Sequence, residues 1–240
     1  MTNHTARRRW LPLTIIAGLL VFGSGAALGR GVPLAPGWDF GHDTPRQASP
    51  PPKPDQVIAN LPTDQQAPLI ANGVSVGKNV ELYFSSGIGP AARNTSAPAG
   101  SPERYLDPAQ LPGGLTGGVS VTEAQGLNAL ARIKENLESV GLDPGDVISM
   151  RVFLDNPPGT PAADYNGWNR AYRQYFANTN LLTGETLAVP LGTGTPGAPI
   201  VVNPVRPSRT ALEVGSLPVA GWLVEIEVVA QRTDNRRGHR

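Results

Sequence analysis

Apolar residues recur at Leu127, Leu130, Ile133, Leu137 and Val140, the spacing of one face of a helix. Thr122 and Gln125 fit a capping box ahead of that run, and Gly141 followed by Leu142 fits a left-handed stop behind it. A second helix is expected over 162–177, where Tyr165, Trp168, Tyr172 and Tyr175 or Phe176 share a face and read as core packing. Strand patterns surround the helices. Residues 74–86 read as a hairpin turning at Lys78-Asn79, and Val147 to Leu154 as a single strand. Residues 210–216 read as a strand with Leu212 and Val214 inward. In 222–231, Trp222, Val224, Ile226 and Val228 face one way, and Glu225 and Glu227 the other. The order hairpin, helix, strand, helix, hairpin makes an α+β domain. Both faces of the last strand hold apolar groups, since Leu223 and Val229 flank the glutamates. The face not given to the helices should therefore meet another subunit.

The chain has 240 residues with 28 Gly and 25 Pro, too many for one compact domain built from all of it. The excess is concentrated. Arg7, Arg8 and Arg9 precede an uncharged stretch from Trp10 to Gly29, the pattern of an export signal or a signal anchor. The expected organisation is a signal or anchor at 1–30, a Pro-rich linker at 31–60, a folded domain at 61–233 and a basic tail at 234–240. The domain would then face the periplasm or the exterior, tethered to the membrane through residues 10–29 if the signal is not cleaved. Two further Gly/Pro-rich stretches, 87–118 and 178–207, interrupt the domain itself.

Charge and residue types narrow the chemistry. Without residues 1–29 the chain keeps 17 Lys and Arg against 19 Asp and Glu, a slightly acidic balance that argues against a nucleic-acid partner. There is no cysteine, and the three histidines (His4, His42 and His239) lie outside the expected domain. Thiolate nucleophiles, histidine-based triads and most zinc sites are thereby excluded from it. Chemistry must rest on carboxylates, arginine, tyrosine, serine or backbone groups.

Four blocks in order carry a resemblance. They are Tyr83-Phe-Ser-Ser-Gly-Ile-Gly, Gly141-Leu-Asp-Pro-Gly-Asp-Val, Asp164-Tyr-Asn-Gly-Trp-Asn-Arg-Ala-Tyr-Arg-Gln-Tyr-Phe, and Arg206-Pro-Ser-Arg-Thr-Ala-Leu-Glu-Val leading to Val224-Glu-Ile-Glu-Val-Val-Ala. Together they resemble the Rid family, the RidA/YjgF-like reactive-intermediate deaminases, over most of 69–232. The resemblance implies a chorismate-mutase-like α+β fold: a mixed sheet with two helices on one face, assembled as a homotrimer. It implies hydrolysis of 2-imino acids or their enamine tautomers to 2-keto acids and ammonia, with no cofactor, in clefts between subunits. By motif, Arg209 would bind the substrate carboxylate and Glu225 would handle the attacking water, while Ser86, Gly87 and Asn169 would line the substrate site. A guanidinium fork grips a carboxylate bidentately and keeps its proton, and one carboxylate can both deliver water and pass a proton to the leaving nitrogen. The chain departs from the family pattern in four respects: one extra residue separates the arginine from the glutamate, the two long loops are expansions, and two residue types are changed. Ala67-Pro68-Leu69 stands where active members often have a tyrosine, and Ile88 stands where a glutamine usually follows the Ser-Gly. The alternative is a non-catalytic trimer of the same fold that captures small carboxylate metabolites at Arg209. The ribonuclease activity that some family names carry fits poorly with an acidic domain lacking histidine.

Overall fold

The computed structural model describes residues 50–232, and the expected signal segment and basic tail lie outside the described residues. Strands β1 (Val57–Asn60) and β2 (Gly73–Val76) form a small antiparallel sheet. Strands β3 (Glu81–Phe84), β4 (Val147–Leu154), β5 (Ser208–Glu213) and β6 (Val224–Arg232) form a mixed four-stranded sheet in the order β3-β6-β4-β5. Helices α1 (Val121–Ser139) and α2 (Tyr165–Arg173) pack together, and the buried residues of β4 and β6 point into the core that they form. This is the expected α+β, chorismate-mutase-like architecture.

Helix α1 buries Leu127, Leu130, Ile133 and Leu137 as its spacing predicts. Gly141 takes φ +77°, donating to Glu138 O at 3.0 Å, and Leu142 donates to Leu137 O at 2.9 Å, which closes the C-terminus as a Schellman motif. The N-terminus differs from expectation. Ser120 is the cap, accepting from Glu123 N at 3.1 Å, whereas Thr122 is buried within the first turn. The Gln125 side chain is spent elsewhere, donating to Pro102 O and Gly221 O and accepting from Leu223 N.

The second helix is shorter than expected and capped by Asp164, which accepts from Gly167 N at 2.8 Å. The two caps also touch, because the Ser120 hydroxyl donates to Asp164. A Cβ on Gly167 would fall 2.3 Å from Ser120 Oγ, and one on Gly126 would fall 2.9 Å from the Ala171 Cβ. Glycine at both positions lets the helices approach closely enough to hold α2 in place.

Neither expected hairpin forms. The chain does turn after β2, with Val80 N donating to Gly77 O, but β2 pairs with β1 and β3 pairs with β6. Gly77 N donates to Gln56 O, and a Cβ there would lie 2.1 Å from Lys53 O, so the backbone of 53–56 occupies the place of a hairpin partner. The Pro-rich linker, expected to run as a spacer to about Asn60, instead ends in the paired strand β1. At the other end, β5 runs parallel to β4 and β6 fills the centre of the sheet. Leu212, expected inward, lies opposite Phe153 on the uncovered face and is 46% exposed. Arg209 and Ala211 point inward instead, beneath the aromatic side chains of α2.

The two long loops are packed structure. Asn128 pins the first by bonding both backbone groups of Ala91 and the carbonyl of Tyr105. Asn178 pins the second, donating to Arg173 O and Val201 O and accepting from Asn203 N at 2.7 Å. The buried Glu123 holds it as well, pairing with Arg170 at 2.9 Å and accepting from Gly192 N at 2.9 Å.

Candidate functional site

The helix-covered face holds an arginine site. Arg209 sits in β5 opposite the buried Met150, so its side chain enters the core side of the sheet. The guanidinium lies 4.4 Å from the centre of the Tyr172 ring and 5.9 Å from that of Trp168. Its Nη2 donates to Asn169 Oδ1 at 2.7 Å, while Nη1 is buried without a partner. Burial pulls the Arg209 pKa below the ordinary arginine value, with Tyr172 opposing and Arg173 reinforcing the shift. An arginine stays charged even so. Two more arginines surround the same tyrosine. Arg206 is buried and donates to the carbonyls of Pro68, Pro204 and Thr179. Arg173 donates to Ala177 O and Ala67 O. The Tyr172 hydroxyl donates to Leu69 O at 3.1 Å, and burial drives its pKa well above that of a free phenol. None of the three guanidiniums forms an ion pair among the described residues, where the pairs are Lys134–Glu138, Arg151–Glu227 and Arg170–Glu123.

The uncovered face holds a carboxylate site. Ser85 pairs with Val228 and Ile88 with Ile226, so three steps along one chain match two along β6 and form a bulge at Ser86-Gly87. The Ser85 hydroxyl accepts from Val228 N at 2.9 Å and fixes that bulge. Glu225 lies against it: a Cβ on Gly87 would fall 2.0 Å from Glu225 Oε1. Burial raises the Glu225 pKa above its ordinary value, and the neighbouring Glu227 raises it further. Glu227 itself pairs with Arg151 at 3.3 Å.

The structure thus joins Arg209 with Asn169, and Glu225 with Gly87, and leaves Ser86 exposed beside the second pair. It does not bring the two pairs together within one chain. In β4, Met150 marks the covered side and Phe153, opposite Glu225, the uncovered side, so the sheet separates them. Sequence reasoning read the aromatic stripe of α2 as core alone. It is core, but Tyr172 and Trp168 also support the guanidinium. Arg173 and Arg206 were not foreseen. The signal for Arg173 was the stripe Asn166, Asn169, Arg170, Arg173 on the polar side of α2.

Residues 110–232 match the family model described as Endoribonuclease L-PSP. The chain belongs to this family, the Rid family. Solved structures similar to this Rid chain include a YjgF-family protein from Neisseria meningitidis, at 19% identity over 75% of this chain and 98% of that one, with a TM-score of 0.35. Escherichia coli TdcF with bound serine is 22% identical over 63% and 81% of the two chains, with a TM-score of 0.37. A YjgF/YER057c/UK114-family member from Mycobacterium tuberculosis is 17% identical over 74% and 100%, with a TM-score of 0.36. No curated protein sequence matches this Rid chain.

Proposed function

We propose that this Rid-family chain hydrolyses 2-imino acids to 2-keto acids and ammonia. The observation that carries the reading is the Arg209 guanidinium. It lies over the Tyr172 ring and is anchored on one side by Asn169, with Nη1 buried and unpartnered. A buried donor of that kind fits a substrate carboxylate, which would complete its hydrogen bonding. Glu225 supplies the chemistry: it takes a proton from water as the oxygen bonds to the imine carbon and passes it to the nitrogen. It then takes the carbinolamine hydroxyl proton and passes that to the nitrogen as the carbon–nitrogen bond breaks, leaving keto acid and ammonia. Its raised pKa, from partial burial and from Glu227, favours a group that both accepts and donates a proton.

Because the sheet separates Arg209 from Glu225, the complete site requires two copies of the chain, with the uncovered face of each turned to a neighbour. Phe84 (63% exposed) and Leu212 sit on that face, which supports the homotrimer. Export through residues 1–30 would place the domain in the periplasm or outside the cell. A reporter fused after residue 60 is expected to be active outside the cytoplasm, and a cytoplasmic reporter would overturn that placement.

The deciding experiment measures ammonia release from a freshly generated 2-imino acid. Wild type is expected to accelerate it. Arg209→Lys keeps the charge but loses the fork, and is expected to be nearly as damaging as Arg209→Ala. Losing a charged, desolvated contact of about 2–5 kcal/mol lowers the rate roughly 30-fold to several thousand-fold. A wild-type rate in a folded Arg209→Ala protein would end this reading. The separation of the two residue pairs favours one second reading, in which the arginine half binds carboxylates without turnover. Keto-acid binding at Arg209 with no ammonia release would establish it.

A further inference from the structure

Beside the Arg209 site lies an open cleft of about 610 Å³, formed by the polar side of α2 and the second long loop at 187–190. The helix contributes Asn166, Asn169, Arg170 and Arg173, which follow one another at the spacing of a single helical face. Asn169 is shared, since its Oδ1 holds Arg209 while the residue lines the cleft. The two arginines of the cleft differ. Arg170 is neutralised by the buried Glu123 through both Nε and Nη2. Arg173 spends two N–H groups on the carbonyls of Ala67 and Ala177, leaving three of its five donors and its whole charge uncompensated. It has no carboxylate partner among the described residues. It also stands close enough to Arg206 and Arg209 for each to feel its charge. Three guanidiniums around Tyr172 without a counter-charge make an anion-attracting region larger than one carboxylate can satisfy.

We infer that this cleft is a second anion subsite, in which Arg173, with Asn166 beside it, binds a carboxylate on the side chain of the substrate held at Arg209. The inference rests on the proposed 2-imino acid reading and narrows it to imino acids carrying a second carboxylate. Arg209 takes the carboxylate next to the imine carbon. The side chain runs past Asn169 along α2, and its terminal carboxylate meets the free donors of Arg173.

The test uses the full-length protein and two keto acids as unreactive stand-ins for the imines, 2-oxoglutarate with two carboxylates and 2-oxobutanoate with one. Calorimetry is expected to show wild type binding 2-oxoglutarate about tenfold or more tightly than 2-oxobutanoate, the worth of one added charge-assisted contact. Arg173→Gln should abolish that preference: the lost neighbouring charge weakens both acids, but 2-oxobutanoate still binds through Arg209 and the two acids then bind alike. Asn166 is exposed, so Asn166→Asp folds irrespective of what Arg173 does for the carbonyls, and its new charge should repel the dianion selectively. Equal wild-type affinity for the two acids would overturn the second subsite and leave the Arg209 reading standing. Binding of neither acid would overturn both. A dianion preference that survives in both variants would also overturn the role of the cleft.

Discussion

The two faces of the central sheet are built on different terms. On the covered face every functional group is held by several others. Arg209 rests on Tyr172, Tyr172 stacks on Phe176 at 5.4 Å, and α2 is fastened to α1 through Ser120, Asp164 and Gly167. On the uncovered face Glu225 is held by little more than the missing side chain of Gly87, among apolar groups that nothing among the described residues covers. On the proposed function, the first face would bind within one chain and the second would be completed by assembly, so that substitutions should separate binding from proton transfer.

The largest expected effect breaks the covered face. Glu123→Ala leaves the Arg170 guanidinium and the Gly192 N–H without their partner, and removing one member of a buried pair destabilises by about 3–5 kcal/mol. Denaturant unfolding is expected to show that loss, and a midpoint near wild type would mean that the second long loop is not fastened through Glu123. The next effect breaks the uncovered face alone. Leu212→Asp places a charge where the trimer is expected to close, so light scattering should report monomer. An exposed site changes the stability of the isolated domain by only about 0.5 kcal/mol.

A subtler substitution, Gly87→Ala, forces the Glu225 carboxylate aside, because the new Cβ would sit 2.0 Å from Oε1. Turnover is expected to fall while keto-acid binding at Arg209 and the melting temperature change little. Loss of binding instead would show that the two sites are not independent.

The smallest effect is a displacement along the pH axis. Glu225 must be ionised to accept a proton from water, so its raised pKa should place the acid limb of the rate profile above the ordinary glutamate value. Glu227→Gln removes the second cause of that shift and should move the limb back toward acid. Stability follows the opposite sign. The folded state holds the Glu225 proton more tightly than the unfolded chain does. Stability is therefore lost as pH rises from the ordinary carboxylate pKa through the raised one. Glu225→Gln should abolish that loss and melt above wild type only on the alkaline side of the window.

What could be read from the sequence was whatever depends on neighbours along the chain. The α1 stripe, its Gly141 stop, the β4 run and the β6 alternation are local patterns, and all four are present in the structure. The hairpins were misread because strand partners are not local. A turn at Lys78-Asn79 looks the same whether the next strand folds back or leaves for another sheet. Arg209 and Asn169 were legible through their motifs, and they meet at 2.7 Å. Arg173 and Arg206 lie in the same blocks, and Arg173 on the polar stripe of α2, but their roles were not legible because they bond backbone carbonyls, which every residue offers. The Ser120 cap was missed because Thr122 two residues later offers the same hydroxyl.

The position of β6 has a consequence for how the chain reaches its native form. It is the strand that both β3 and β4 require, and it joins β3 across a long separation, with Val228 meeting Ser85 over 143 residues. Closing so large a loop loses chain entropy before any strand contact repays it, and topologies dominated by such distant pairings assemble slowly. Until β6 arrives, β3 has no hydrogen-bonding partner and the apolar edges of β4 and α1 stay wet. The four-stranded sheet is therefore expected to close late, when β6 arrives between β3 and β4.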